Sequence, residues 1–211
     1  PFGEVKHLPA RYFGFFPTPD DAADRVFDGR GSRSFNNGII VFQPKDKPRL
    51  RILEPSAGTG NLARRCVTVP ARAGRYASEY RYDNLVDCVE IQPHLAAELE
   101  AEGHYNRVLC MDFLQLNPES TSPYDLVVMN PPFDRERDID HVMHAVKFLK
   151  PGGRLTAIMS AGTEFRETRK ATAFREFVAS HGGEFVDLPA GSFSEVGTNV
   201  NTLYVTFRTK A

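Results

Sequence analysis

The stretch Tyr124-Asp125-Leu126-Val127-Val128-Met129-Asn130-Pro131-Pro132-Phe133 constrains the fold of this chain more than any other. Leu126 to Met129 is a short apolar, largely β-branched run of the kind that makes a strand buried on both faces. An amide and two prolines end that run abruptly, so Asn130 stands at the carboxyl end of a core strand. Ligands of open α/β sheets bind along that edge, which makes Asn130 a site candidate by position alone.

The chemistry of the turn narrows what the ligand is. Two successive prolines fix φ and remove two backbone donors, leaving the carbonyls of Asn130 and Pro131 free to face a ligand. The Asn130 side chain adds one more acceptor oxygen, and Phe133 offers a flat face on which a planar ring can stack. Acceptors converging on one point suit an amine with two hydrogens to give. Asn130, Pro131, Pro132 and Phe133 therefore point to an amino group on an aromatic base. The plainer alternative is a strand-ending Asn-Pro turn followed by a core Phe.

At 211 residues the chain fits one domain, 1–211, with a substantial core. Its 41% apolar and 25% charged residues are those of an ordinary globular protein. No apolar run reaches the length of a membrane span and no signal peptide opens the chain, so a cytoplasmic location is expected. The net charge of -1 announces no polyanion partner, and any nucleic-acid contact must come from local clusters. Cys66, Cys88 and Cys110 show no metal-ligand spacing, and no metal is expected. Cys88 and Cys110 read as buried reduced thiols within strands. None of the three follows a proline as a cytosine-C5 methylating nucleophile would.

Near the start of the chain, Thr18 is placed to cap a helix with Pro19 at its first position and Asp20 and Asp21 in its first turn. That terminus could hold a carboxylate, although simple capping explains it equally well. A short strand is expected at Ile39 to Phe42. Leu50 to Leu53 reads as a core strand leading into Glu54-Pro55-Ser56-Ala57-Gly58-Thr59-Gly60, a glycine turn able to wrap a nucleoside-bearing ligand. Gly58-x-Gly60-x-x-Ala63 also satisfies the dinucleotide fingerprint. Between 64 and 84, Arg64, Arg65, Arg72, Arg75 and Arg81 alternate with Tyr76, Tyr80 and Tyr82, the composition of a phosphate-binding, base-stacking surface or of a solvated loop.

Leu85 to Ile91 is the next strand, and Glu90 at its end is placed to accept from ribose hydroxyls. A helix at Pro93 to Glu102 and a strand at Arg107 to Cys110 follow. Asp112 could accept the exocyclic amine of an adenine with Phe113 packing on the ring; an Asx turn beside a core Phe is the alternative. A helix is expected over Ile139 to Leu149, ended by Lys150-Pro151-Gly152-Gly153, with His141 and His144 as ordinary helix residues. Strands are expected at Leu155 to Ser160, Glu184 to Leu188 and Asn201 to Arg208. A charged helix face carrying Arg166, Arg169, Lys170 and Arg175 follows the first of them. Phe193, in the polar connection before the last strand, reads as an exposed second wall for a ring held against Phe133.

Strands alternating with helices predict an α/β fold with a mainly parallel, doubly wound sheet whose last two strands pair antiparallel. In this order, Phe16-Pro17-Thr18-Pro19, the Glu54 to Gly60 loop, Glu90, Asp112-Phe113 and Asn130-Pro131-Pro132-Phe133 resemble the motifs of the class I S-adenosylmethionine-dependent methyltransferases, specifically the N6-adenine DNA methyltransferases. The resemblance implies a Rossmann-like, mostly parallel seven-stranded sheet with an antiparallel C-terminal strand. It implies that Phe16, Thr18 and Pro19 contact the methionine part of S-adenosyl-L-methionine. Glu54, Pro55, Ala57, Gly58 and Gly60 would wrap the cofactor, Glu90 and Ile91 hold its ribose end, and Asp112 and Phe113 take its adenine. Asn130 and the Pro131 carbonyl would accept the hydrogens of an adenine amine in DNA, with Phe133 and Phe193 against the flipped base.

Sequence-specific relatives carry a target-recognition region after the last motif, and here the chain stops within a few residues of the final strand. A fragment, a weakly specific enzyme using the 64–84 segment, and a subunit whose partner reads the sequence are all compatible with that. The opening Pro1 hints at a missing natural N-terminus. Three rival readings stay open: methylation of an RNA base or a protein glutamine, a nicotinamide-dependent oxidoreductase built on Gly58-x-Gly60-x-x-Ala63, and a non-catalytic cofactor-binding subunit.

Overall fold

The computed structural model describes residues 16–28, 43–44, 49–67, 80–81 and 84–211. The strand expected at Ile39 to Phe42, and Arg72, Arg75, Tyr76 and Tyr82 of the basic segment, lie outside these residues. Seven strands form one sheet: β1 (Arg51–Glu54), β2 (Leu85–Glu90), β3 (Arg107–Cys110), β4 (Tyr124–Met129), β5 (Leu149–Ser160), β6 (Glu184–Asp187) and β7 (Thr202–Arg208). Their spatial order is β3-β2-β1-β4-β5-β7-β6. All neighbours pair in parallel except at β7, which opposes both β5 and β6. The doubly wound α/β sheet read from the sequence, with its antiparallel C-terminal strand, is present. Separately, Gln43–Pro44 pairs antiparallel with Tyr80–Arg81.

Among the described residues five α-helices cover the sheet: α1 (Asp20–Asp28), α2 (Asn61–Val67), α3 (Pro93–Glu102), α4 (Arg137–Val146) and α5 (Arg169–Ser180). The period of two along each strand divides the core between the faces. Ile52, Leu126 and Val128 pack with Ala22, Ala23 and Val26 of α1 and Leu62 and Ala63 of α2. Leu53, Val127 and Met129, one residue out of phase, pack with Ile139 and Val142 of α4 and Phe174 and Val178 of α5. Helix α3 has Pro93 at its start and closes on Gly103 at φ 71, the left-handed position that glycine adopts freely.

At the amino edge of the strands a buried carboxylate ties four elements together. Asp87 in β2, 1% exposed, accepts from Tyr124 Oη at 2.6 Å and Asn106 Nδ2 at 2.6 Å. It also lies 3.5 Å from Arg51 Nη2 and 3.3 Å from Arg107 Nη2. The first residues of β1, β3 and β4 thereby share one anion. The edge opposite the ligand-binding side is held rigid by it.

Helix α4 ends three residues before its expected end at Leu149, and the glycines serve a different purpose from a helix stop. Leu149 already pairs with Tyr124, and the register then shifts so that Leu126 faces Arg154. The intervening residues bulge out of the ladder, with Gly152 at φ 72. The bulge is stitched by Thr209 N–H to Gly153 O at 2.9 Å, Thr209 Oγ1 to Lys150 O at 2.7 Å, and Lys150 Nζ to Asp125 Oδ1 at 2.7 Å. A Cβ on Gly153 would meet Lys150 O at 2.8 Å, so the strand can double back only without one. A second correction concerns Cys110: Cys88 is buried as expected, but Cys110 is exposed because β3 is an edge strand with a partly open face.

Removing the Asp87 carboxylate leaves two guanidinium groups, a phenol and an amide without their shared acceptor. Asp87→Ala should therefore destabilise the fold by about 2–3 kcal/mol in urea denaturation. A loss below about 0.5 kcal/mol, the range of ordinary surface substitutions, would show that the network does not hold the strand ends together.

Candidate functional site

Strand order reverses between β1 and β4, because the chain leaves β1 towards β2 on one side and returns to β4 on the other. At such a reversal the loops at the carboxyl ends diverge and leave a crevice. An open cleft lies there, lined from the loops after β1, β2, β3 and β4, from Phe16, Pro17 and Thr18, and from α4.

The β1 loop is held in its turn by main-chain and carboxylate bonds. Ala57 N–H donates to Val89 O at 3.0 Å, Gly60 N–H to Ala57 O at 2.7 Å, and Gly58 N–H to Glu90 Oε2 at 2.7 Å. Gly58 and Gly60 have φ of 53 and 80, and a Cβ on Gly60 would meet Leu99 Cδ2 at 2.7 Å and Tyr105 Oη at 2.9 Å. Gly60 is therefore required for packing against α3 and lies outside the cleft lining. Glu90, buried, receives Gln92 N–H on Oε1 at 2.8 Å, so each carboxylate oxygen has one bond and spare acceptor capacity towards the cleft.

Glu54 also stands outside the lining: it lies buried beneath the loop, with Oε2 lacking a partner among the described residues. Burial pushes its carboxyl well above the ordinary range, against a hydrogen bond from Ala63, and the Glu90 charge adds to the rise.

Asn130 is the most informative side chain. Its Nδ2 donates to Phe16 O at 3.0 Å and to Thr18 Oγ1 at 3.0 Å. A carbonyl oxygen can only accept, so the group facing Phe16 must be the NH₂. Asn130 Oδ1 is thereby left buried with no partner among the described residues, on the wall of the cleft. Thr18, expected to cap α1, spends its hydroxyl on this amide. The helix starts at Asp20, with Pro19 O accepting from Ala23 N–H at 2.9 Å, and Pro19 does not line the cleft. Asn61 of α2 donates to the Thr18 carbonyl, locking the same segment from the other side.

After Pro131 and Pro132 the chain turns sharply. Arg135 and Glu136 take positive φ of 52 and 59, a strain of order 1 kcal/mol or more per residue. Thr168 Oγ1 holds the turn by donating to Glu136 Oε1 at 2.6 Å. Phe133 lines the cleft and meets Phe193 edge-on, with ring centroids 6.3 Å apart at 74°. Phe193, expected as an exposed wall, is fully buried and absent from the lining. Packing in the core behind Phe133, it fixes that ring instead of facing the ligand.

Asp112 and Phe113 take the form of the plainer alternative while still lining the cleft. Asp112 Oδ1 accepts Leu114 N–H at 2.9 Å in a capping turn. Phe113 is buried against Phe148, 5.3 Å between centroids. Ile91 is exposed at the rim. Arg64 and Arg65, read from the sequence as part of either a phosphate-binding surface or a solvated loop, are held in ion pairs on α2. Arg64 pairs with Glu102 at 2.7 Å and donates to Thr59 O, while Arg65 pairs with Asp20 and Asp24.

The sequence reading missed Arg137 and His141. One turn apart on α4, both line the cleft; their i, i+4 spacing directly after the Asn130 to Phe133 turn was the available signal. His141 is 5% exposed, and neither ring nitrogen has a hydrogen-bond partner among the described residues. His144, three residues on, has Nε2 at 3.0 Å from Leu116 O. Burial, helped by the Arg137 charge, pushes the His141 imidazole down to about 4. No group of three or more His, Cys, Asp or Glu side chains suited to a metal occurs among the described residues. No helix among them is long and apolar enough to cross a membrane.

No family model and no curated protein matches the sequence. Solved structures do match the fold. A candidate class I S-adenosylmethionine-dependent methyltransferase from Listeria monocytogenes superposes with a TM-score of 0.60 at 16% identity, over 79% of this chain and 55% of that one. A candidate RNA methyltransferase from Pyrococcus horikoshii gives 0.58 at 19% identity, over 97% and 89%. The M protein of the type I restriction enzyme EcoKI gives 0.58 at 17% identity, over 79% and 41%. The chain thus spans about half of the Listeria protein and less than half of the EcoKI subunit. At these identities the likeness is one of fold, the Rossmann-like methyltransferase fold.

An imidazole whose pKa falls from 6.5 to about 4 on folding binds more protons in the unfolded chain than in the folded one between those values. Its neutral burial is harmless above pH 6.5 and destabilises progressively as the pH drops towards 4. Relative to His141→Phe, the wild-type protein should lose about 3 kcal/mol of stability between pH 7 and pH 4, read from urea midpoints. A pH-independent difference would mean that His141 titrates alike in both states.

Proposed function

We propose that this chain is an S-adenosylmethionine-dependent N-methyltransferase whose acceptor is the exocyclic amine of adenine in DNA. The observation that carries the reading is the orphaned Asn130 Oδ1, a buried acceptor without a partner among the described residues, on a residue that lines the cleft together with Phe133. An acceptor left bare in a dry wall destabilises by about 1–3 kcal/mol, and an incoming N–H removes that penalty.

The donor set fits the cofactor. Glu90 has acceptor capacity left for two vicinal hydroxyls, and Asp112 has an oxygen beyond its capping bond for an amine. Ala57 and Gly58 line the cleft where backbone can approach a ligand closely, with Phe16, Thr18 and Pro55 at the neighbouring wall and Ile91 and Phe113 at the purine end. Pro19, Glu54 and Gly60 would act indirectly, by shaping that wall and loop. When bound, the cofactor supplies a methyl group on a charged sulfonium, an excellent leaving group.

The chain's own residues do the positioning. Asn130 Oδ1 and the Pro131 carbonyl accept the two hydrogens of the target amine, turning its nitrogen lone pair towards the methyl donor. Pro132 fixes the turn, and Phe133, backed by Phe193, stacks on the extruded base. Extrusion takes a few kcal/mol from the duplex, which these contacts offset. The EcoKI M protein belongs to a restriction enzyme, and by analogy a partner subunit would read the DNA sequence here. RNA stays the second reading, since a candidate RNA methyltransferase shares the fold over nearly all of both chains.

The test is transfer of labelled methyl from S-adenosylmethionine to duplex DNA, single-stranded DNA, RNA and protein in parallel, followed by nucleoside analysis. N6-methyladenine in DNA is the expected product; label in RNA or protein alone would replace the substrate, and uptake by none would overturn the activity. Asn130→Ala should lower turnover about 10²–10³-fold, as for loss of one preorganised polar contact to a reacting group, with a much smaller change in cofactor affinity. Unchanged turnover would remove Asn130 from the chemistry.

A further inference from the structure

We propose that His141 is a direct ligand of the purine of the bound nucleoside, donating an N–H to a ring nitrogen beside the exocyclic amine while Asp112 accepts from that amine. The inference rests on the reading that the cleft holds an adenosyl cofactor, and it adds a residue that sequence reasoning set aside.

His141 lines the cleft, and both of its imidazole nitrogens are buried without hydrogen-bond partners among the described residues. A neutral imidazole always carries one N–H and one lone pair. Enclosing both unpaired is unfavourable by an amount that a Leu or Phe at the same place on α4 would avoid altogether. The ring also lies 5.9 Å from Phe113 between centroids, tilted by 45°, so stacking accounts for its apolar faces and not for its polar edge. His144 shows the contrast, its Nε2 within hydrogen-bonding distance of Leu116 O.

The charge state suits the role. The charged and titratable groups acting on His141 are Arg137, Asp112, Asp140 and His144. With burial and Arg137 opposing protonation, the ring stays neutral at physiological pH. Asp112, acting on the same ring from the β3 loop, is an acceptor only and has one oxygen taken by Leu114 N–H. A carboxylate acceptor next to an imidazole donor is the complement of an aminopurine edge, which offers an amine N–H beside a ring-nitrogen lone pair. A 6-oxopurine presents an acceptor where Asp112 needs a donor. The pair therefore selects adenine over guanine in the cofactor.

The experiment is calorimetric titration of the wild-type protein with S-adenosylhomocysteine and with its 1-deaza and 7-deaza analogues, each replacing one ring nitrogen by CH. The same titrations are made on His141→Phe and His141→Leu. One analogue should bind the wild type about tenfold more weakly than the parent, the loss of one buried hydrogen bond, and that deficit should vanish in a folded variant. Equal binding of all three ligands to the wild type, or a deficit that persists in the variants, would overturn the inference while leaving the cofactor reading intact. Failure of S-adenosylhomocysteine itself to bind the wild type would overturn the cofactor reading and this inference with it.

Discussion

A sheet whose strand order reverses between β1 and β4 sends two loops away from the same edge in opposite directions, and the sheet's own hydrogen bonding cannot close the gap between them. Every feature of the cleft answers to that gap. On the β2 side of it, Glu90 accepts Gly58 N–H from the β1 loop, and Ala57 N–H reaches Val89 O beside it. The opposite edge, where Asp87 gathers Arg51, Arg107, Asn106 and Tyr124, is closed and rigid. One end of the sheet is stapled, and the other is left open for ligand.

Within the gap, the amide of Asn130 matters because only one orientation is possible. Phe16 O takes one hydrogen of its NH₂, Thr18 Oγ1 takes the second, and the carbonyl oxygen is left buried without a partner among the described residues. The positive-φ turn at Arg135 and Glu136 and the buried ring of Phe193 then determine how Phe133 stands beside that oxygen. The buried amide and the aromatic ring, three residues apart, are thus supported by different parts of the chain.

Much of this was legible beforehand where local rules dominate. The apolar run at Leu126 to Met129, the glycine turn after β1 and the acid at Glu90 each carry their geometry in neighbouring residues, and the strands fell close to where periodicity placed them. Local rules fail where a tertiary partner decides. Arg64 and Arg65 look like phosphate ligands until Glu102, Asp20 and Asp24 come beside them. Phe193 sits in a polar connection and reads as exposed, yet the loop folds its ring into the core. The Pro151-Gly152-Gly153 signal was read as a helix stop because a bulge answering to Thr209 cannot be seen from one strand alone. His141 reads as an ordinary helix residue, and what singles it out, two buried ring nitrogens without a hydrogen-bond partner among the described residues, is visible only in the fold.

The hydrogen bonds from Asn130 to Phe16 and Thr18 also have a kinetic meaning. They close sequence separations of 114 and 112 residues, among the longest ties in the chain, and contacts of that span gain little until the intervening strands are already in place. The wall that presents Oδ1 is thus completed late in folding, after β1 and β4 have paired. A small molecule recognised by that wall binds only the finished protein, and so draws the folding equilibrium towards it by mass action.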